Sequence, residues 1–184
     1  MKIHETELPK NSILNVPHDK YDYADSYQGT LTDKDNNISP TDIVKAFFTS
    51  GPKWVGALLV IRNKIVGVFG LKTGDDTPDL QEELDKFACE PDQQLGLFKV
   101  FDKSEHEVIL GEDDKHLNFR ISLLIENSKS DPEKKEVTIS TTVVFNNWFG
   151  KLYFLPVKTF HKLIVKRMLK ATIKELENSQ TLMD

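Results

Sequence analysis

Apolar positions along this chain recur with two periods, and the change between them marks its organisation. Over Leu117–Ile125, Leu117, Phe119, Ile121, Leu123 and Ile125 fall on every second residue, and over Glu136–Phe145 so do Val137, Ile139, Thr141, Val143 and Phe145. Strict alternation places one row on a buried sheet face and the other in water, so these are two strands. The polar, proline-containing stretch Asn127–Lys135 between them suits a loop joining antiparallel neighbours. Further on, Val157, Phe160, Ile164, Met168 and Ala171 recur at three and four residues, which predicts a long amphipathic helix from about Pro156 to Glu177 packed on the sheet. Val165, Leu169 and Leu176 widen its stripe on one side, Leu163 falls outside it, and Lys162, Lys166, Lys170 and Lys174 form a ridge on the far side.

Upstream the pattern is more broken. Residues 1–19 hold few periodic apolar positions and are expected to form an extended lead-in, followed by a first strand carrying Tyr21, Tyr23, Ser26 and Gln28 and a polar turn over Asp33–Asn37. Ser39-Pro40-Thr41-Asp42 is a helix start: a hydroxyl cap, proline at the first helical position and an acid three residues after the cap. That helix is expected to reach about Thr49. Gly51-Pro52 then opens a second, carrying Trp54, Leu58, Ile61, Ile65 and Val68 and stopping at Gly70, and Thr77-Pro78 opens a short third one through Phe87. Leu97–Phe101 and Val108–Leu110, around Asp102-Lys103-Ser104, read as a hairpin. The order of strand, two to three helices, several antiparallel strands and one long helix predicts an α+β fold, with residues 178–184 as a frayed tail.

Composition narrows the function. A length of 184 residues suits a single domain with its own core, and 39% hydrophobic against 29% charged residues is a globular balance. A net charge of −5 argues against a dedicated nucleic-acid binder. The lone Cys89 excludes an intramolecular disulfide and fits a reducing compartment, so a cytoplasmic location is expected. The most apolar stretch, Trp54–Leu71, is interrupted by Arg62, Asn63 and Lys64, which argues against a transmembrane segment. Charge is unevenly spread. Eight acids face only Lys86 between Asp75 and Asp92, while Lys151–Lys174 carries seven basic residues and no acid.

Two stretches, Gly111-Glu112-Asp113-Asp114-Lys115-His116-Leu117-Asn118-Phe119-Arg120 and Phe145-Asn146-Asn147-Trp148-Phe149-Gly150-Lys151-Leu152-Tyr153-Phe154-Leu155-Pro156-Val157-Lys158, resemble signature segments of the DUF2867 family, a bacterial family of unknown function. Tyr21-Asp22-Tyr23-Ala24-Asp25 and Pro52-Lys53-Trp54-Val55 extend the resemblance over most of residues 20–172. The family resembles helix-grip folds of the START and Bet v 1 type (SRPBCC), which implies a curved antiparallel sheet gripping a long C-terminal helix, with a hydrophobic cavity between them. Relatives also occur joined to NAD-binding domains of the short-chain dehydrogenase type, for which this chain is too short. Trp148 departs from the pattern, standing where a basic residue is expected. The family supplies no catalytic residues to carry over.

Candidate chemistry is sparse. If the helix caps the sheet, Phe119, Ile121, Val143 and Phe145 should oppose Phe160, Ile164 and Met168, an apolar setting for a small ligand. His161 lies within about 40° of the stripe centre at 100° per residue and offers that setting an imidazole. The run Glu112–His116 concentrates three carboxylates and an imidazole, but its spacing matches no metal motif, and acids in a turn are ordinarily solvated. Asn118 and Arg120 suit either an anion contact or a surface salt bridge. Cys89 has no base fixed near it by sequence. There is no phosphate loop, nucleophile elbow or zinc spacing. The reading that follows is a non-catalytic binding protein for a small apolar or amphipathic molecule, with no cofactor or metal. The alternatives are an enzyme of lyase, isomerase or hydrolase type in the same cavity, and a protein- or membrane-surface interaction module using the lysine ridge.

Overall fold

A computed structural model describes residues 1–16, 20–51 and 80–181. The expected helix over Trp54–Val68 and the expected helix start at Thr77-Pro78 lie outside the described residues. Seven described strands form one antiparallel sheet: β1 (His4–Thr6), β2 (Tyr23–Thr32), β3 (Gln94–Leu95), β4 (Phe98–Lys103), β5 (Glu107–Asp113), β6 (Leu117–Asn127) and β7 (Lys134–Phe145). Their order is β1-β2-β7-β6-β5-β4-β3. Helices α1 (Pro40–Thr49) and α2 (Leu80–Lys86) stand between β2 and β3, and α3 (Trp148–Thr181) closes the described chain. The curved sheet with its long C-terminal helix is the helix-grip arrangement.

The alternation in β6 and β7 is seen as expected. Ile121 pairs with Thr141 and Leu123 with Ile139, so the odd residues of both strands share the inner face. Tyr27 and Leu31 of β2 lie on that face and are fully buried with Leu110, Leu123, Val137 and Ile139. Ile43, Val44 and Phe47 of α1 pack into the same core. Ser39 caps α1 with the reciprocal bonds of a capping box to Asp42. In the hairpin, β4 continues through Lys103 after a bulge between Val100 and Asp102. The reversal therefore falls after Lys103 rather than at Asp102–Ser104, where Ser104 Oγ accepts from the Glu107 amide at 3.0 Å.

The second face of the sheet departs from the expectation of a wet row. Ser122, Thr138 and Ser140 are fully buried although they alternate with the core residues. The cover comes from the lead-in. After β1 pairs with β2, the following residues cross the outer face. Asn11 there donates to Glu126 at 2.6 Å, and Ser12 Oγ and the Ile13 amide donate to the Glu107 carboxylate at 2.6 and 2.7 Å. Ser122 Oγ gives the same carboxylate a third bond. A buried charge met by three donors is satisfied rather than orphaned.

The long helix differs from the sequence reading in start, end and phase. It begins at Trp148, with Pro156 inside it. Asn147 serves as its cap, its Oδ1 accepting from the Gly150 amide at 3.0 Å, so proline is not needed at the first turn. It continues to Thr181, and Gln180, expected in a frayed tail, donates to the buried Asp33 at 2.9 Å. The residues that widened the predicted stripe are its centre: Leu169 and Ile173 are fully buried, with Val165 and Leu176 beside them. Phe160, expected beneath the helix, is 57% exposed. The phase differs by roughly a quarter turn at 100° per residue, because large apolar residues stand on two opposite sides of the first half of this helix and the period alone selects no single face there. Gly29 on β2 leaves room for Ile173 of α3 and for Ile3, since a Cβ there would stand 2.8 Å from Ile173 Cδ1 and 2.5 Å from Ile3 Cδ1.

Candidate functional site

Beside the main core lies a second apolar cluster. Tyr23, Val143 and Phe154 are buried in it, with Leu117, Phe119, Phe145 and Val157 packed around them. Phe154 meets the rings of Tyr23 at 4.9 Å and Phe145 at 5.5 Å. The helix packs chiefly over β2 and α1 rather than across the middle of β6 and β7. On the inner face Leu117, Phe119 and Ile121 are only half-buried. The expected opposition of Phe119, Ile121, Val143 and Phe145 to Phe160, Ile164 and Met168 forms only in part, with Phe160 exposed. Phe119, Val143 and Phe145 join Phe154 and Val157, while Ile121, Ile164 and Met168 belong to the main core.

His161 sits where these clusters meet. Its Nε2 donates to Asp25 Oδ1 at 3.2 Å, and the Tyr23 hydroxyl donates to Asp25 Oδ2. The Asp25 side chain is 2% exposed, and His161 closes it off at 16%. Strand alternation explains the grouping. Tyr23, Asp25 and Tyr27 follow one another on the inner face of β2, and Thr141 of β7 pairs with Asp25. Burial, followed by the hydrogen bond to Asp25, pushes the Tyr23 phenol well above the ordinary tyrosine range. Tyr27 is raised for the same leading reason, with the neighbouring Asp25 charge adding to it. Lys158 and Lys166 of α3 lie over the Tyr23 and Tyr27 rings at 5.1 and 4.9 Å. Among the described residues, the Tyr27 hydroxyl, which faces the Asp25 carboxylate without closing a hydrogen bond to it, and Thr141 Oγ1 are buried without a hydrogen-bond partner.

The site thus brings together a carboxylate, an imidazole and three hydroxyls beside a half-open apolar row. His161 was legible in the sequence from its angular position. Asp25, Tyr23, Tyr27 and Thr141 were not singled out. Their one signal is an acid flanked by tyrosines at alternate positions in a strand, facing where the core should be.

The other chemical candidates are occupied elsewhere. Asp113 pairs with Arg120 at 2.8 Å, and the Arg120 guanidinium stacks 3.4 Å above the Phe101 ring. Asn118 Oδ1 accepts from Asn146 at 2.8 Å. The anion contact suggested for Asn118 and Arg120 therefore gives way to internal pairing. Cys89 is fully buried, and burial raises its thiol above the ordinary range, the reverse of activation.

The two stretches that carry the family resemblance meet in space. Asn146 donates to the Asp114 carbonyl at 2.6 Å and Asn147 to the Lys115 carbonyl at 2.9 Å. A Cβ at Gly150 would overlap the His116 carbonyl oxygen. The β5–β6 turn and the start of α3 are therefore one joint, which sets the helix over the Tyr23–Asp25–His161 group. The family model described as protein of unknown function (DUF2867) matches residues 18–168. The chain belongs to DUF2867. In this DUF2867 protein the matched span contains strands β2–β7, the joint and all five polar residues of the site. No curated protein and no solved structure matches it.

Proposed function

We propose that this DUF2867 protein is a non-catalytic binding protein for a small amphipathic molecule held on the inner sheet face beside the first half of α3. The supporting observation is the half-open apolar row of Leu117, Phe119 and Ile121, bordered by two buried hydroxyls, Tyr27 Oη and Thr141 Oγ1, that close no hydrogen bond among the described residues. Buried polar atoms without partners call for an explanation, and a ligand's hydroxyl or carbonyl meets both needs at once. The apolar body would lie on Phe119, Phe145 and Val157. Binding sites of this type combine an apolar lining with a few placed polar groups.

The test is native mass spectrometry of protein purified from its host, with displacement of a fluorescent apolar dye by fatty acids. A co-purifying small molecule, and displacement weakened by Phe119→Ala and by the double change Tyr27→Phe with Thr141→Val, are expected. The polar variants remove unpartnered hydroxyls and should leave thermal stability nearly unchanged. Absence of both a bound molecule and displacement would end this reading.

A second reading rests on Asp25, whose contact with His161 orients the imidazole as an acid–base group is oriented in lyases, isomerases and hydrolases. It requires His161→Gln to abolish a turnover that Phe160→Ala leaves intact.

A further inference from the structure

The first half of α3 shows water a face that a helix gripped by a sheet does not require. Trp148, Leu152, Leu155 and Leu163, spaced at four, three and eight residues, are 76%, 55%, 61% and 45% exposed. These spacings lie on one side of a helix. Over about 24 Å of axis at 1.5 Å per residue, this side carries large apolar side chains where polar ones are ordinary. Along the helix itself the charge up to Lys174 is basic, since no acid occurs between Val137 and Lys174, while acids stand at its two ends in the β5–β6 turn and at Glu175 and Glu177. Lys151 is exposed next to Leu152, and on the later turns Lys170 and Lys174 are exposed beyond Leu163. Lys162 is committed to Glu5 at 3.3 Å and Lys166 to the Tyr27 ring, so the predicted lysine ridge is not uniformly available.

We infer that this face of α3 docks on the surface of an anionic phospholipid bilayer, with Trp148, Leu152, Leu155 and Leu163 at the headgroup–acyl boundary and Lys151, Lys170 and Lys174 among the headgroups. Both halves of the inference use the same chemistry. Exposed tryptophan and leucine on a helix favour the interface, and exposed lysines beside them favour acidic lipid. No helix among the described residues is long and apolar enough to cross a membrane, so the helix lies along the surface. In this half of the helix Phe154 and Val157, on the opposite side, make the contacts to Tyr23, Val143 and Phe145, so docking leaves the sheet-side packing intact. The inference is independent of the ligand reading, which concerns the opposite side of the helix.

The experiment is sedimentation of the full chain with sucrose-loaded phosphatidylcholine vesicles, with and without about 30% phosphatidylserine. Severalfold more protein should pellet with the anionic vesicles, and the excess should fall when salt is raised from about 0.05 to about 0.5 M. Trp148→Ser with Leu155→Ser should abolish pelleting. Trp148→Phe, a milder change, should remove a blue shift of tryptophan emission that wild type shows on anionic vesicles. Protein that stays in the supernatant with both vesicles, equal binding to both, or undiminished binding of the double variant would overturn the inference. So would a concentration-dependent dimer lost in that variant without vesicle binding, which would assign the face to a second copy.

Discussion

At the residue scale, several side chains have a single assignable task. Gly150 lies in the first turn of α3 against the His116 carbonyl, with no room for a methyl group. Gly150→Ala must separate the helix start from the β5–β6 turn, and a loss of about 1–3 kcal/mol in denaturant unfolding is expected, as for other overpacked sites. Asn147→Ala should cost about 1 kcal/mol through loss of the cap. Cys89 tests burial directly. Its thiol should not react with a disulfide reagent at pH 8 in the native state and should react fully in denaturant. Rapid native reaction would contradict the burial that raises it.

At the element scale, the phase of α3 is the sharpest claim. Leu169→Ala should cost about 2–5 kcal/mol because it opens a cavity at a fully buried position, whereas Phe160→Ala should change stability by no more than about 0.5 kcal/mol. The reverse order would restore the sheet-facing stripe read from the period. The strands were legible because β6 and β7 alternate cleanly, and α1 because its capping box is a local signal. The helix phase was not legible, since Trp148, Leu152, Leu155 and Leu163 give the first half a second apolar side opposite Phe154 and Val157. The start of α3 was misplaced because Pro156 resembles a first-turn proline while the actual cap, Asn147, carries no acid or glutamine three residues on. The strap over the outer face had no signal at all. Its contacts to Glu107 are polar and long-range, and periodicity does not encode them.

At the scale of the whole molecule, the buried phenols dictate a pH response. Tyr23 and Tyr27 ionise above their ordinary value of 10.0 in the folded chain. Above about pH 10 the unfolded chain releases these protons while the native one holds them, so the unfolded state binds fewer and stability falls as pH rises. Below that pH the two tyrosines contribute no pH dependence. Urea midpoints should therefore decline steeply above about pH 10 in wild type and less so in Tyr27→Phe, while an equal slope in both would show that Tyr27 titrates freely. The candidate site was legible only through His161, because a residue on a helix declares its face by angle. The acid it meets lies 136 residues away, and no spacing rule spans that distance.

The pairing of β2 with β7 sets an order in time. Ser26 and Ser140, bonded to each other across the sheet, are 114 residues apart, and among the described residues β2 has its one other strand partner in the three-residue β1. During synthesis β2 leaves the ribosome long before β7 exists, so its long edge waits unpaired while β4, β5 and β6 assemble by local hairpins. The grip can form only when β7 and the helix that follows it emerge almost together. A nascent chain of this topology is open to misassociation along β2 until β7 and α3, residues 134–181, have emerged.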